Sequence, residues 1–73
     1  MKNGESRFAF GRRLRDLRRQ QGFSQEQLAA QSGLDRSYVG SVERGERNIS
    51  LENICRLAAT LKVPPSSLLD FVE

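Results

Sequence analysis

The stretch SQEQLAAQSGLDRSYVGSVERG, residues 24–45, holds the most informative local signals in the sequence. Ser24 followed three residues later by Gln27 is a capping box, in which a hydroxyl and an amide each satisfy a backbone N–H that the first helical turn leaves unpaired. Leu28 and Ala29 give the helix that starts there a buried face. Gly33 ends it after Ser32, because glycine adopts the left-handed conformation without a Cβ penalty. Asp35, two residues later, is a second N-cap, and Val39 and Val42 carry an apolar stripe on to a second stop at Gly45. Two short helices therefore meet at a tight glycine turn.

Projected at about 100° per residue, the second helix places Tyr38, Val39 and Val42 in one arc and Arg36, Ser37, Gly40 and Ser41 outside it. The outward set holds one long donor, two hydroxyls and a glycine where Glu and Lys would be usual, so this face is thin enough to enter a groove. In DNA readers of this architecture, the start of the second helix meets base edges in the major groove. Arg36 and Ser37 occupy that start. Arginine bonds both acceptors of a guanine, and serine bonds several bases. Plain alternatives stand beside these roles. Arg36 can pair with Asp35 or Glu43 on the surface, and Ser37 and Ser41 can simply be solvated. Tyr38, on the border, packs its ring on the core edge or reaches a phosphate or thymine methyl with its hydroxyl end, and the two can hold together. Gln25 either contacts a phosphate from its helix N-terminus or merely favours the helix start.

N-terminal to this pair, Phe10, Leu14 and Leu17 recur at helical spacing in an arginine-rich stretch that stops at Gly22, which predicts a first helix over about Ser6–Gln21. Residues 1–5 are expected as a flexible arm, and residues 6–73 as one domain with its helix pair at about 24–44. After a loop from Gly45 to Ile49, Ser50 caps a helix carrying Leu51, Ile54, Leu57, Ala58 and Leu61. Pro64 and Pro65 break it and open a last helix running through Leu68, Leu69, Phe71 and Val72. Nothing reads as a strand, so the fold class is all-α.

These residues resemble the Cro/repressor, or XRE, family of helix-turn-helix regulators. The likeness lies in Arg18, Gly22-Phe23-Ser24-Gln25, Leu28-Ala29, Ser32-Gly33-Leu34, Tyr38-Val39 and Glu43-Arg44-Gly45, and continues through Arg47-Asn48, Ser50-Leu51 and Leu57-Ala58 to Val63. The resemblance implies a five-helix, lambda-repressor-like domain that regulates transcription. It also implies an ion pair between Arg18 and Glu43, and a backbone-contacting loop in which Arg44, Arg47 and Asn48 meet phosphate. The alternative for that loop is a plain polar turn. The words from Gly33 to Val39 and from Glu43 to Asn48 are most similar to controller proteins of restriction–modification systems. One departure is Lys62, where the family often has glycine.

A single short helix reads few base pairs, so a homodimer on a near-palindromic double-stranded site is expected. Leu69, Phe71 and Val72 are the candidate dimer contacts, although Phe71 can instead close the monomer's own core. Arg13 is placed at a flanking phosphate, and Arg12, Arg15 and Arg19 on a solvated face. Charge supports an anionic partner at one end: residues 1–19 carry seven Lys/Arg against two acids.

The 73 residues hold no histidine and one cysteine, Cys55, expected as a small buried group or an oxidant-sensing thiol. No nucleophile–base or metal constellation is present, so neither an enzyme nor a cofactor is expected, nor a small-molecule ligand. The lack of an export signal or long apolar run points to a chain free of membrane and suited to a reducing cytoplasm. The competing function is an antitoxin or adaptor that uses the same fold to hold a protein.

Overall fold

Among the described residues, glycine and proline punctuation sets off five helices: α1 (Asn3–Gln20), α2 (Gln25–Ser32), α3 (Arg36–Glu43), α4 (Leu51–Leu61) and α5 (Pro65–Leu68). The computed structural model describes residues 3–71, and side chains from residue 5 onward. Among the described residues there is no strand, and no helix is long and apolar enough to cross a membrane.

The local signals act as the physics of helix ends requires. Ser24 Oγ accepts from the Gln27 N–H at 3.0 Å, and Gln27 Oε1 accepts from the Ser24 N–H at 2.8 Å. Gly33 takes φ 74°, letting the Leu34 N–H bond back to the Ala29 carbonyl at 2.9 Å. Ser50 Oγ caps α4 through the Asn53 N–H at 3.1 Å. Asp35 departs from expectation. It occupies the N-cap position of α3 without a side-chain cap, because its carboxylate accepts from Ser37 Oγ at 2.5 Å instead.

Two helices differ in extent from their sequence reading. α1 starts at Asn3 rather than Ser6. Once a helix is nucleated each further residue adds a hydrogen bond cheaply, and Glu5 in the first turn complements the helix dipole. α5 is a single turn that ends at Leu68, short of Phe71. The Phe71 N–H bonds to the Leu69 carbonyl at 3.1 Å, and this turn brings Phe71 against the core. Val72 lies outside the described residues.

The core is built from Leu14 of α1, Leu28 of α2, Val39 and Val42 of α3, Leu57 and Leu61 of α4 and Leu68 of α5, all fully buried. α3 packs against α1 and α2, α4 against α2 and α5, and α5 returns to α1. Arg13 Nε donates to the Ser67 carbonyl at 2.7 Å and Gln21 Nε2 to the Leu61 carbonyl at 2.6 Å, tying α1 and the turn after it to the C-terminal half. Of the two expectations for Cys55, the small buried group is not met, since the residue is exposed. It lies about 100° round α4 from Ile54, outside the arc that Leu57, Ala58 and Leu61 share.

Lys62 ends α4 with φ 57°, the only non-glycine residue with positive φ among the described residues. A side chain in this region costs roughly 1 kcal/mol, partly offset by the unfolded-state entropy that glycine adds. Lys62→Gly should therefore raise stability by about 0.5 kcal/mol, read as a higher denaturant midpoint with an unchanged slope.

Candidate nucleic-acid interface

Only the first turn of α3 is open to solvent. Arg36 and Ser37 are exposed, Tyr38 is half-buried, and every residue from Val39 to Glu43 is buried. Arg36 has no hydrogen-bond or ion-pair partner among the described residues, so the alternative pairing with Asp35 or Glu43 is not made. Its guanidinium is available to a ligand.

Ser41 corrects the helical projection. It is 6% exposed, and its hydroxyl donates to the Tyr38 carbonyl at 2.8 Å and accepts from Arg47 Nε at 3.2 Å. Gly40 is buried as well. A Cβ there would stand 3.2 Å from Arg44 Nη1 and 3.5 Å from Gln25 Oε1, so the glycine makes room for these two side chains rather than for a groove wall.

Glu43 lies at the far end of the same helix, with a fully buried side chain. Arg18 grips it with two hydrogen bonds, Nε to Oε2 at 2.6 Å and Nη2 to Oε1 at 3.0 Å, and gives Nη1 to the Phe23 carbonyl at 2.9 Å. Gln25 Nε2 donates to Glu43 Oε1 at 3.0 Å, and Arg15, assigned by sequence to a solvated face, reaches the same oxygen at 3.6 Å. Burial pushes the Glu43 carboxyl pKa up. Hydrogen bonds from Arg18 and Gln25, with the charges of Arg18 and Arg15, outweigh burial and hold it below the usual carboxylate range. The hydrogen bond to Glu43 raises the pKa of Arg18. The pair thus fastens α3 to α1, while Gln25, a phosphate candidate from sequence, spends one amide hydrogen on the same anchor.

The loop after α3 turns at Gly45, whose φ is 79°. Two residues of α1 that drew no notice in the sequence hold it in place. Arg7 Nε donates to the Gly45 carbonyl at 3.3 Å, and the Phe8 ring lies so close that a Cβ on Gly45 would stand 2.5 Å from it. Phe8 falls off the Phe10, Leu14, Leu17 stripe and is 55% exposed, so apolar periodicity carried no signal for it. Along the loop, Arg44 is paired with Glu46 at 3.1 Å on the surface, Arg47 lies over the Tyr38 ring with its guanidinium 5.6 Å from the ring centre, and Asn48 is exposed without a partner among the described residues. Tyr38 Oη accepts from Asn53 Nδ2 of α4 at 3.1 Å, a contact that sequence reasoning also missed. Of the sequence-derived phosphate candidates, Arg47 lies beside the open turn of α3 through the Tyr38 ring, and Arg44 and Asn48 are exposed on the same loop. Arg13 lies elsewhere, holding α5.

Two consecutive helices, a left-handed glycine between them and an exposed arginine opening the second form the geometry that enters a major groove. A family model described as helix-turn-helix matches residues 14–68. The chain belongs to this family, the XRE-type helix-turn-helix proteins. Among relatives of this helix-turn-helix protein, control protein C.BamHI of Bacillus amyloliquefaciens is 44% identical over 66 residues, spanning 89% of this chain and 82% of that one. The crystal structure of the restriction–modification controller protein C.AhdI from Aeromonas hydrophila superposes with a TM-score of 0.86 at 58% identity, covering 88% of this chain and 97% of that chain. The structure of the biofilm regulator SinR in complex with DNA, a Bacillus subtilis protein, gives a TM-score of 0.80 at 34% identity over 84% of this chain and 98% of that chain. This helix-turn-helix protein is a DNA-binding transcription regulator.

Proposed function

We propose that the chain acts as a homodimer on a near-palindromic operator, as a controller of restriction–modification genes. The observation that carries the reading is Arg36, exposed and unpartnered at the first position of α3, beside a loop that presents Arg44, Arg47 and Asn48. Arg36 and Ser37 contact base edges, with Tyr38 at the border. The loop residues contact phosphate, and the second amide hydrogen of Gln25 is free to join them. The buried Ser41 takes no part in base contact, and Arg13 contributes through α5 rather than through phosphate. The controller assignment rests on the likeness to C.BamHI and C.AhdI.

Dimerisation is supported by apolar surface at the C-terminal end. Leu69 is 49% exposed, and Leu69 and Phe71 line a shallow apolar groove with Phe10, Ile49 and Ile54. Arg47 and Asn48 border the same groove, so an interface there lies next to the phosphate-facing loop. Two-fold pairing puts the α3 helices about 34 Å apart, one DNA turn, with half-sites about 10 base pairs apart.

Footprinting the chain on its own upstream region tests the reading, with Arg36→Ala and Arg47→Ala as probes. The wild type should protect two symmetric half-sites, with an affinity that falls steeply as salt rises. Arg36→Ala should cost about 2 kcal/mol and relax the sequence requirement at one position of each half-site, whereas Arg47→Ala should weaken all sequences alike. An unaltered sequence preference in Arg36→Ala would remove the base-reading role. Co-purification with a protein and no salt-dependent DNA binding would favour the adaptor function instead.

A further inference from the structure

Tyr38 is held at three points. Its ring faces the Arg47 guanidinium at 5.6 Å, its carbonyl accepts from Ser41 Oγ at 2.8 Å, and its hydroxyl oxygen accepts from Asn53 Nδ2 at 3.1 Å. Arg47 is itself fixed by donating Nε to Ser41 Oγ at 3.2 Å, so ring, guanidinium and serine form a closed set. Asn53 is placed independently of this set, in the first turn of α4, where its backbone N–H is bound to Ser50 Oγ at 3.1 Å. A phenol has one proton to give and lone pairs to receive. Asn53 occupies a lone pair, and no described residue accepts the proton.

We propose that Tyr38 donates its hydroxyl proton to a DNA phosphate oxygen and that Asn53 is the positioning residue that leaves this proton free. The inference rests on the DNA-facing role of α3 given above and adds a residue from outside the helix pair. Phosphate has the matching chemistry, since its oxygens only accept and the adjacent Arg47 supplies positive charge. An amide hydrogen bonded to the phenolic oxygen turns the phenol proton outward. A carboxylate at position 53 would reverse the bond and take that proton.

The experiment is a DNA-binding titration of the full chain on its footprinted site and on a scrambled duplex, with thermal melts run in parallel. Tyr38→Phe keeps the ring and its packing and should weaken both duplexes by the same factor, about tenfold, with little change in Tm. Asn53→Ala should weaken both by about threefold, and adding it to Tyr38→Phe should bring no further loss. Asn53→Asp should be weaker than Asn53→Ala, and its penalty should shrink in a Tyr38→Phe background. A Tyr38→Phe loss confined to the footprinted site would place the acceptor on a base and overturn the phosphate assignment. An Asn53→Asp penalty of undiminished size in the Tyr38→Phe background would reduce Asn53 to a bystander whose replacement merely repels DNA. A wild type that binds neither duplex would instead fail the DNA-facing reading. Asn53 variants equal to a binding wild type would overturn only the present proposal.

Discussion

Glu43→Ala should lower the unfolding free energy by about 3–5 kcal/mol, because it removes one partner of a buried charge pair and strands the other. Arg18 is 8% exposed and gives two of its donors to the lost carboxylate, and only the Phe23 carbonyl would remain to it. A domain of this length has roughly 4–11 kcal/mol of stability in total, so the variant is expected to be partly unfolded at 37 °C. A fall in Tm of at least about 12 °C by calorimetry or circular dichroism is the expected result. An unchanged Tm would remove the assignment of Glu43 as the anchor of α3. DNA binding should weaken with it, since α3 loses its tie to α1.

The same pair sets a pH dependence with a definite sign. The folded-state pKa of Glu43 is depressed, so its contribution is complete above the unfolded value of about 4.3 and is lost as the pH falls through the lower folded value. Stability should therefore decline on acidification below about pH 4. The decline should be shallower in Glu43→Gln, which has no carboxylate at that position to titrate.

Gly11→Ala should cost about 3 kcal/mol, although alanine is the better helix former by about 1 kcal/mol. Gly11 is buried where α1 crosses the end of α3. A Cβ there would stand 2.5 Å from the carbonyl oxygens of both Val42 and Glu43. These are backbone atoms with no rotamer by which to withdraw, so α1 must move away from α3. That movement pulls at the Arg18–Glu43 bonds, one of which spans only 2.6 Å. Equilibrium denaturation distinguishes the effects, since a gain in stability would mean that helix propensity outweighs the crossing.

The parts of this fold governed by neighbours in sequence were legible. The capping box at Ser24 and Gln27, the glycine stops and the Pro65 start each depend on a few adjacent residues, and all are present. The burial of Ser41 was not legible, because α3 is enclosed by both α1 and α2 and its buried arc is wider than the Val39, Val42 stripe. Gly11 carried no signal either, since its importance comes from a backbone more than 30 positions away. Asn53 and Phe8 were silent for the same reason, each acting on a residue that only the fold brings near. The Arg18–Glu43 pair was legible through family likeness, whereas the addition of Arg15 and Gln25 to it required the geometry.

The division of α3 into an open first turn and an enclosed remainder has a consequence for how such regulators diversify. Arg36 and Ser37 touch nothing that holds the core together, and substitutions at exposed positions of this kind usually change stability by less than about 0.5 kcal/mol. On the base-reading role proposed for these two residues, target choice can therefore drift while the scaffold stays constant. Duplicated copies within one cell could acquire separate operators through one or two substitutions, and a library randomised at these two positions should yield mutually insulated regulators without repair mutations elsewhere.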